Sequence, residues 1–278
     1  MAQVGPNKLQ LWEAGISAVL DRAATGPPLS RAAREVNAEV FGAVNRLRST
    51  SEPLSLQWFL DVEGLRHKRH GRWIPHLLEF HKHANETLLG IGPGLGSDWA
   101  QYARHGAEVV VCSPAMEQLA LVQRNFGLRE LPGLFLHASL AALPLEPASI
   151  DVTCLTGLLD ENADPQTLVE EIYRVLKPGG KVLAVLPARC DIDYWCRGWL
   201  PWNRAAVQQR LAFTGRSLCR LFGRFVEHRV YKRQLRRSEV PHIWRWLPLP
   251  LLERLAGRVL VLKAFKPLSA AMSLQAAA

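Results

Sequence analysis

Apolar residues in the first fifty positions recur at helical spacing. Leu9, Leu11, Trp12, Ile16, Val19 and Leu20 predict a helix over 8–23, and Gly26-Pro27-Pro28 stops it. Ala32, Ala33, Val36, Val40, Phe41, Val44 and Leu47 predict a second helix, followed by a Ser/Thr/Pro linker over 49–55. The pattern then changes. Short apolar runs near 87–91, 108–112, 133–137, 150–156, 180–187, 225–235 and 258–266 predict strands. Stretches near 97–105, 114–126, 165–176 and 203–222 predict helices between them. Strand and helix in alternation specify an α/β fold, a parallel sheet with helices on both faces. The last two strands, joined through the Pro- and Trp-containing stretch 241–250, predict an antiparallel edge. The expected division is a helical extension over 1–55, an α/β domain over 56–267 and a fraying Ala/Ser-rich tail over 268–278.

Composition narrows the function classes. The apolar fraction of 48% supports a sizeable core. No apolar run reaches about 18 residues, so no membrane span is expected. The N-terminus lacks a basic stretch followed by an apolar core, so no secretory signal is expected. Five cysteines (112, 154, 190, 196 and 219) form no C-x-x-C pair, which argues against zinc, redox and other metal sites. Cys112 and Cys154 read as buried core thiols of a protein in a reducing cytoplasm.

A net charge of +9 suits anionic partners: nucleic acid, a membrane surface or an acidic substrate. An Arg-rich but otherwise ordinary surface fits it equally. Residues 204–237 carry Arg204, Arg210, Arg216, Arg220, Arg224, Arg229, Lys232, Arg233, Arg236 and Arg237 against the single acid Glu227. Phe213, Leu218, Leu221, Phe222 and Phe225 interleave with them. Without a nucleic-acid fold motif, peripheral contact with an anionic membrane ranks above nucleic-acid binding. A solvated basic face is the plain alternative.

The sharpest motif is Leu88-Leu89-Gly90-Ile91-Gly92-Pro93-Gly94-Leu95-Gly96-Ser97-Asp98, an apolar strand running into glycines and then a helix. Backbone approaches a ligand closely only where side chains are absent, and a helix start offers free N–H groups. The spacing is G-x-G-x-G, with Ser97 where the dinucleotide pattern would need its third glycine. Ser97 or Asp98 is positioned to cap the helix.

This loop resembles that of the class I S-adenosylmethionine methyltransferases, of the type 11 or quinone- and lipid-type group. Val109-Val110-Val111-Cys112-Ser113-Pro114-Ala115-Met116 is similar to the family's second strand, with Pro114 in the first turn of the next helix. Ala142-Leu143-Pro144-Leu145 with Ser149-Ile150-Asp151-Val152, and Glu171-Ile172-Tyr173-Arg174-Val175-Leu176-Lys177-Pro178-Gly179-Gly180-Lys181-Val182-Leu183, resemble its fourth- and fifth-strand segments. Val62-Glu63-Gly64-Leu65-Arg66 and Trp73-Ile74-Pro75 resemble the lead-in of quinone- and lipid-type members. The likeness runs over 62–187 and thins over 188–266.

The resemblance implies a Rossmann-like seven-stranded sheet with an N-terminal helical cap, and S-adenosylmethionine as cofactor. It implies a cofactor site at Gly90, Gly92, Gly94, Gly96, Ser97, Asp98, Val111, Cys112, Ser139, Leu140 and Thr156. Three acids usual in the family are replaced: Gly90 two residues before the first loop glycine, Val111 at the ribose position and Ser139 at the adenine position. A hydrogen bond to a charged group contributes about 1.5–3 kcal/mol, so their loss weakens binding about tenfold to a hundredfold per contact. Asp160 and Glu161 after the fourth strand, and Tyr194 after the fifth, are the candidate catalytic groups. Tyr194, Trp195, Trp199 and Trp202 would wall an apolar or planar acceptor. Methyl transfer to a small-molecule or lipid-like acceptor is the leading expectation. A catalytically silent binding or scaffold protein is the second, and an RNA methyltransferase the weakest, since no N-P-P-Y-type tetrad follows the fourth strand.

Overall fold

The computed structural model describes residues 51–52, 54–92, 94–157, 164–197 and 213–268. The expected helices over 8–23 and 32–47, and residues 203–212 of the expected 203–222 helix, lie outside them.

Seven strands form one sheet: β1 (Thr87–Ile91), β2 (Glu108–Ser113), β3 (Leu134–His137), β4 (Ile150–Thr156), β5 (Leu176–Pro187), β6 (Val226–Arg233) and β7 (Val259–Phe265). Their order is β3-β2-β1-β4-β5-β7-β6. Strands β1 to β5 pair in parallel, and β7 then β6 complete an antiparallel edge. Strand order reverses between β1 and β4. Open sheets of this kind bind ligands at the carboxyl ends of the strands flanking such a switch.

Alternation along the strands feeds two cores. On one face Leu88, Val109, Val111, Val152 and Cys154 pack with Trp99, Tyr102 and Phe126. On the other, Leu89, Ile91, Val110 and Cys112 pack with Leu168, Ile172 and Phe222. Helix α1 (Leu56–Gly64) starts where Ser55 accepts the Trp58 N–H, and continues into a π-helical turn, Leu65–His70. Helix α2 (Ile74–Leu78) precedes β1; α3 (Ser97–Arg104), α4 (Met116–Leu128) and α5 (Pro165–Val175) follow β1, β2 and β4. Asp164 caps α5, accepting from the Gln166 and Thr167 N–H groups, and Pro165 opens it. Helices α6 (Ile192–Arg197), α7 (Gly215–Leu221) and α8 (Leu249–Ala256) surround the antiparallel edge.

Several local expectations are corrected. Gly96 in left-handed conformation, not Ser97 or Asp98, is the N-cap of α3. Helix α4 begins at Met116 with Ala115 as N-cap, so Pro114 precedes the helix instead of opening it. Strand β5 begins at Leu176 and carries Pro178-Gly179-Gly180 within it, where Gly179 has φ +80°. The stretch 241–250 holds a 3-10 turn, His242–Trp244, and the start of α8.

Candidate cofactor and acceptor site

The three loop glycines do different jobs. A Cβ on Gly92 (φ +139°) would lie 1.7 Å from the Thr156 carbonyl oxygen, so the ends of β1 and β4 touch through bare backbone. A Cβ on Gly96 would meet Val122 of α4 at 2.7 Å. One on Gly94 would meet nothing within 4 Å among the described residues, so this glycine faces space open of them. Leu95 between them is buried under Trp58 and Phe59 of α1. Asn125 of α4 donates to its carbonyl at 2.6 Å.

Gly90 explains the first missing acid. A Cβ there would lie 2.7 Å from the Trp99 indole. The ring is fully buried and takes the space a side chain at 90 would need. Trp99 and the loss of side chain at 90 are one packing solution.

The second missing acid requires a correction. Val111 does not stand at the end of β2. It is wholly buried in the Trp99 core, paired with Gly90 in the middle of the sheet. The terminal residue is Ser113. The Ser-Pro pair invites alignment with a helix start, but α4 starts two residues later, which shifts the strand end by two. Ser113 Oγ accepts from the Ala115 N–H at 3.1 Å and donates to Gln118 Oε1 at 2.6 Å. Gln118 Nε2 donates to the carbonyls of Gly92 and Gly94, at 2.5 and 3.2 Å. A hydrogen-bonded chain thus links the end of β2, the first turns of α4 and the glycine loop. Sequence reading missed Ser113 and Gln118; the turn preceding α4 carried the only signal for the first, and none marked the second.

Asp98 is buried at the start of α3. Arg66 grips it with two hydrogen bonds, Nε to Oδ1 at 2.8 Å and Nη2 to Oδ2, and His67 Nε2 lies 2.7 Å from Oδ1. Burial alone would raise its pKa; Arg66 and His67 overcome that and hold the carboxyl well below the usual carboxylate range. Both partners come from the π-helical turn after α1. With Glu63 paired to Arg129, the C-cap of α4, and Arg124 donating to the Leu54 carbonyl, the segment 54–70 is latched over the loop. Ser97 beside Asp98 is buried.

The remaining cofactor candidates separate. Cys112 points into the main core, where burial pushes its thiol up to about 11. Cys154, opposite Gly90, is likewise raised by burial. Ser139 is exposed and accepts from the Ala141 N–H at 3.2 Å, while Leu140 is anchored in the core. Thr156 sits almost fully buried against Gly92. Asp160, Glu161, Trp199 and Trp202 lie outside the described residues. Tyr194 and Trp195 are exposed on α6, edge to face at 5.6 Å between ring centroids. Past the carboxyl end of β5 lies a cavity of about 300 Å³, lined among others by Ala188, Cys190, Phe213, Lys232 and Arg254. Burial lowers the pKa of Lys232, whose ammonium donates to the carbonyls of Cys190 and Leu255. Among the described residues no cluster of His, Cys, Asp or Glu has the makings of a metal site.

A seven-stranded α/β sheet with a glycine loop at its switch point defines the class. Residues 89–184, about a third of the chain, match the model of the methyltransferase domain family. A demethylmenaquinone methyltransferase of Clavibacter sepedonicus is 32% identical over 104 residues, 36% of this chain and 40% of that protein. The chain thus matches well under half the length of this curated relative. Two solved structures share the fold. The 4+2-cyclase SpnF has a TM-score of 0.56 at 16% identity, over 84% of this chain and 93% of that one. Phosphoethanolamine N-methyltransferase 2 of Haemonchus contortus, in complex with S-adenosyl-L-methionine, has a TM-score of 0.54 at 17% identity, over 70% and 52%.

Proposed function

We propose that this chain transfers a methyl group from S-adenosylmethionine to a small-molecule or lipid-like acceptor. The observation that carries the reading is Gly94: between Gly92 against Thr156 and Gly96 against Val122, it presents a glycine that meets none of the described residues, a cradle that any side chain would fill. The residues present fit the cofactor there by backbone. When bound, S-adenosylmethionine supplies an electrophilic methyl on a cationic sulfur. The chain's own work is binding and orientation. The glycine loop offers bare backbone, Ser113 offers a hydroxyl at the end of β2, and α1 covers Leu95 and shields the loop from water. The raised thiols of Cys112 and Cys154 stay protonated and take no proton from an acceptor. Tyr194 and Trp195 supply aromatic surface for the acceptor, and the resemblance to a demethylmenaquinone methyltransferase supports a planar or lipid-like one.

A second reading has its own observation. Gln118 already occupies the carbonyls of Gly92 and Gly94, and Trp99 fills the place of the first acid, which suits a silent binding protein. The same fold serves a cyclase in SpnF, so fold alone does not choose. Calorimetric titration with S-adenosylhomocysteine separates the two. The first predicts saturable binding that falls at least about tenfold in Gly94→Leu, with an unchanged thermal midpoint. No heat of binding in the native chain, or equal affinity in the variant, overturns it.

A further inference from the structure

We propose that the face built by α6, the segment 236–248 and α8 docks on an anionic lipid bilayer. These elements share a small core of their own, Ile192, Leu235, Val240, Leu252 and Ala256, apart from the two sheet cores. Around that core, large apolar side chains point outward. Ile243 and Trp246 are 73% and 79% exposed, and Leu251, Leu255, Tyr194 and Trp195 are also exposed. Helix α8 buries Leu252 and Ala256 and turns Leu251 and Leu255 outward beside exposed Arg254. Large apolar side chains clustered on a surface and rimmed by charge mark an interaction site.

The exposed residues sit on a braced scaffold. Arg237 donates to the carbonyls of Arg245 and Leu247, and Arg245 to that of Val240. The turn carrying Ile243 and Trp246 is held by these bonds, so little ordering entropy is lost on insertion.

Charge selects the occupant. The elements of this face, α6, 236–248 and α8, hold five arginines, Arg197, Arg236, Arg237, Arg245 and Arg254, against Asp193, Glu239 and Glu253, a net +2. Glu239 is matched by Arg258 at 3.7 Å. Exposed Arg254 lies between Leu251 and Leu255 on α8. Aromatic and aliphatic residues among cations of one sign suit a phosphate-rich apolar interface. A second copy would set like charges against each other. The face also adjoins the cavity past β5, because Arg254 belongs to both. A lipid-like acceptor would then reach the cavity from the bilayer without crossing water. This last step rests on the proposed methyl transfer; the docking itself does not.

The structure also redistributes the Arg-rich stretch 204–237. Its described cations are shared among α7, β6 and the following turn. Arg224 stacks on Tyr173 at 4.0 Å, and Lys232 and Arg237 are spent on backbone carbonyls. The apolar anchor lies beyond that stretch, at 243–255.

Sedimentation of the full chain with phosphatidylcholine vesicles, with and without phosphatidylglycerol, tests the proposal. Binding is expected only with the anionic lipid, weakening as salt shortens the screening length from about 10 Å toward 3 Å. Ile243→Ser with Trp246→Ser should weaken it at least about tenfold at an unchanged thermal midpoint, and Arg254→Gln by a smaller factor. Equal sedimentation with neutral vesicles overturns the proposal, as does native-like binding by the double variant. Self-association in light scattering, abolished by the same variant and unaccompanied by vesicle binding, also overturns it. S-adenosylhomocysteine titration of the double variant should match the native chain, so failure here and failure of the methyl-transfer reading are separately visible.

Discussion

Two paired carboxylates, buried Asp98 and half-buried Glu79, have similar cationic surroundings and hold different things together. Asp98 lies at the carboxyl end of the parallel strands, and both its partners, Arg66 and His67, belong to one turn of one covering segment. Glu79, at the opposite end, binds Lys181 of β5 at 2.7 Å and Lys263 of β7 at 2.9 Å. Burial would raise the Glu79 pKa, but the two lysines lower it from 4.5 to about 2. Both acids are ionised because paired cations outweigh desolvation. What differs is the range of the coupling. Asp98 fastens a covering segment beside the glycine loop; Glu79 clamps two strands of the sheet. The same chemistry makes a local latch in one place and a global clamp in the other.

A carboxylate buried without cations is the severest test of this comparison. Val111→Asp would place one in the apolar core around Trp99. A loss of at least about 4 kcal/mol in urea denaturation is expected. Two residues on, Ser113→Asp keeps an acceptor for the backbone N–H of Ala115, and its second oxygen faces Gln118 Oε1 near the surface, where the amide can turn away from the loop carbonyls, so folding should survive. If the proposed cofactor site is real, that variant gains S-adenosylhomocysteine affinity by about tenfold in calorimetry. Stability of Val111→Asp equal to that of Ser113→Asp would contradict the assignment of the strand end.

Removing the charge from each native carboxylate should sharpen the difference. Glu79→Gln strands Lys263, a lysine only 8% exposed, and is expected to cost about 3 kcal/mol of global stability. Asp98→Asn should cost less, about 1–2 kcal/mol, because Arg66 is 40% exposed and water takes up part of its loss. Its signature is local: faster amide hydrogen exchange over 56–70, with protection in β1 and β4 retained. Uniformly faster exchange in Asp98→Asn would remove the distinction between latch and clamp.

The smallest effect is read against pH. Both acids have folded pKa values below their unfolded ones, so their stabilisation is present above about pH 4.5 and is lost as pH falls through the folded values. Buried His83, whose pKa is lowered by burial, adds loss of the same sign below its ordinary 6.5. Stability should therefore decline on acidification, steepest between about pH 4 and 2. Glu79→Gln should flatten that slope more visibly than any exposed Glu→Gln variant.

Much of this was legible in the chain. Alternation and glycine placement determined the parallel sheet and its order of strands and helices, because period-2 and period-3.6 patterns are local and each buries one face. The loop Gly92–Gly96 was legible for the same reason: close backbone approach excludes side chains and leaves glycines in the sequence. The side chains packed and hydrogen-bonded around that loop were not. Ser113 was hidden by a shift of two residues at a turn whose Ser-Pro reads equally well inside or outside a helix. Trp99 against Gly90, Gln118 on the loop carbonyls, and Arg66 and His67 on Asp98 join positions 9 to 32 residues apart. Packing decides such pairs, because a buried carboxylate or an emptied Cβ position accepts whichever side chain the fold brings within reach. The split of residues 204–237 between engaged and free cations has the same cause: charge is written along the chain, and its neighbours are set in space.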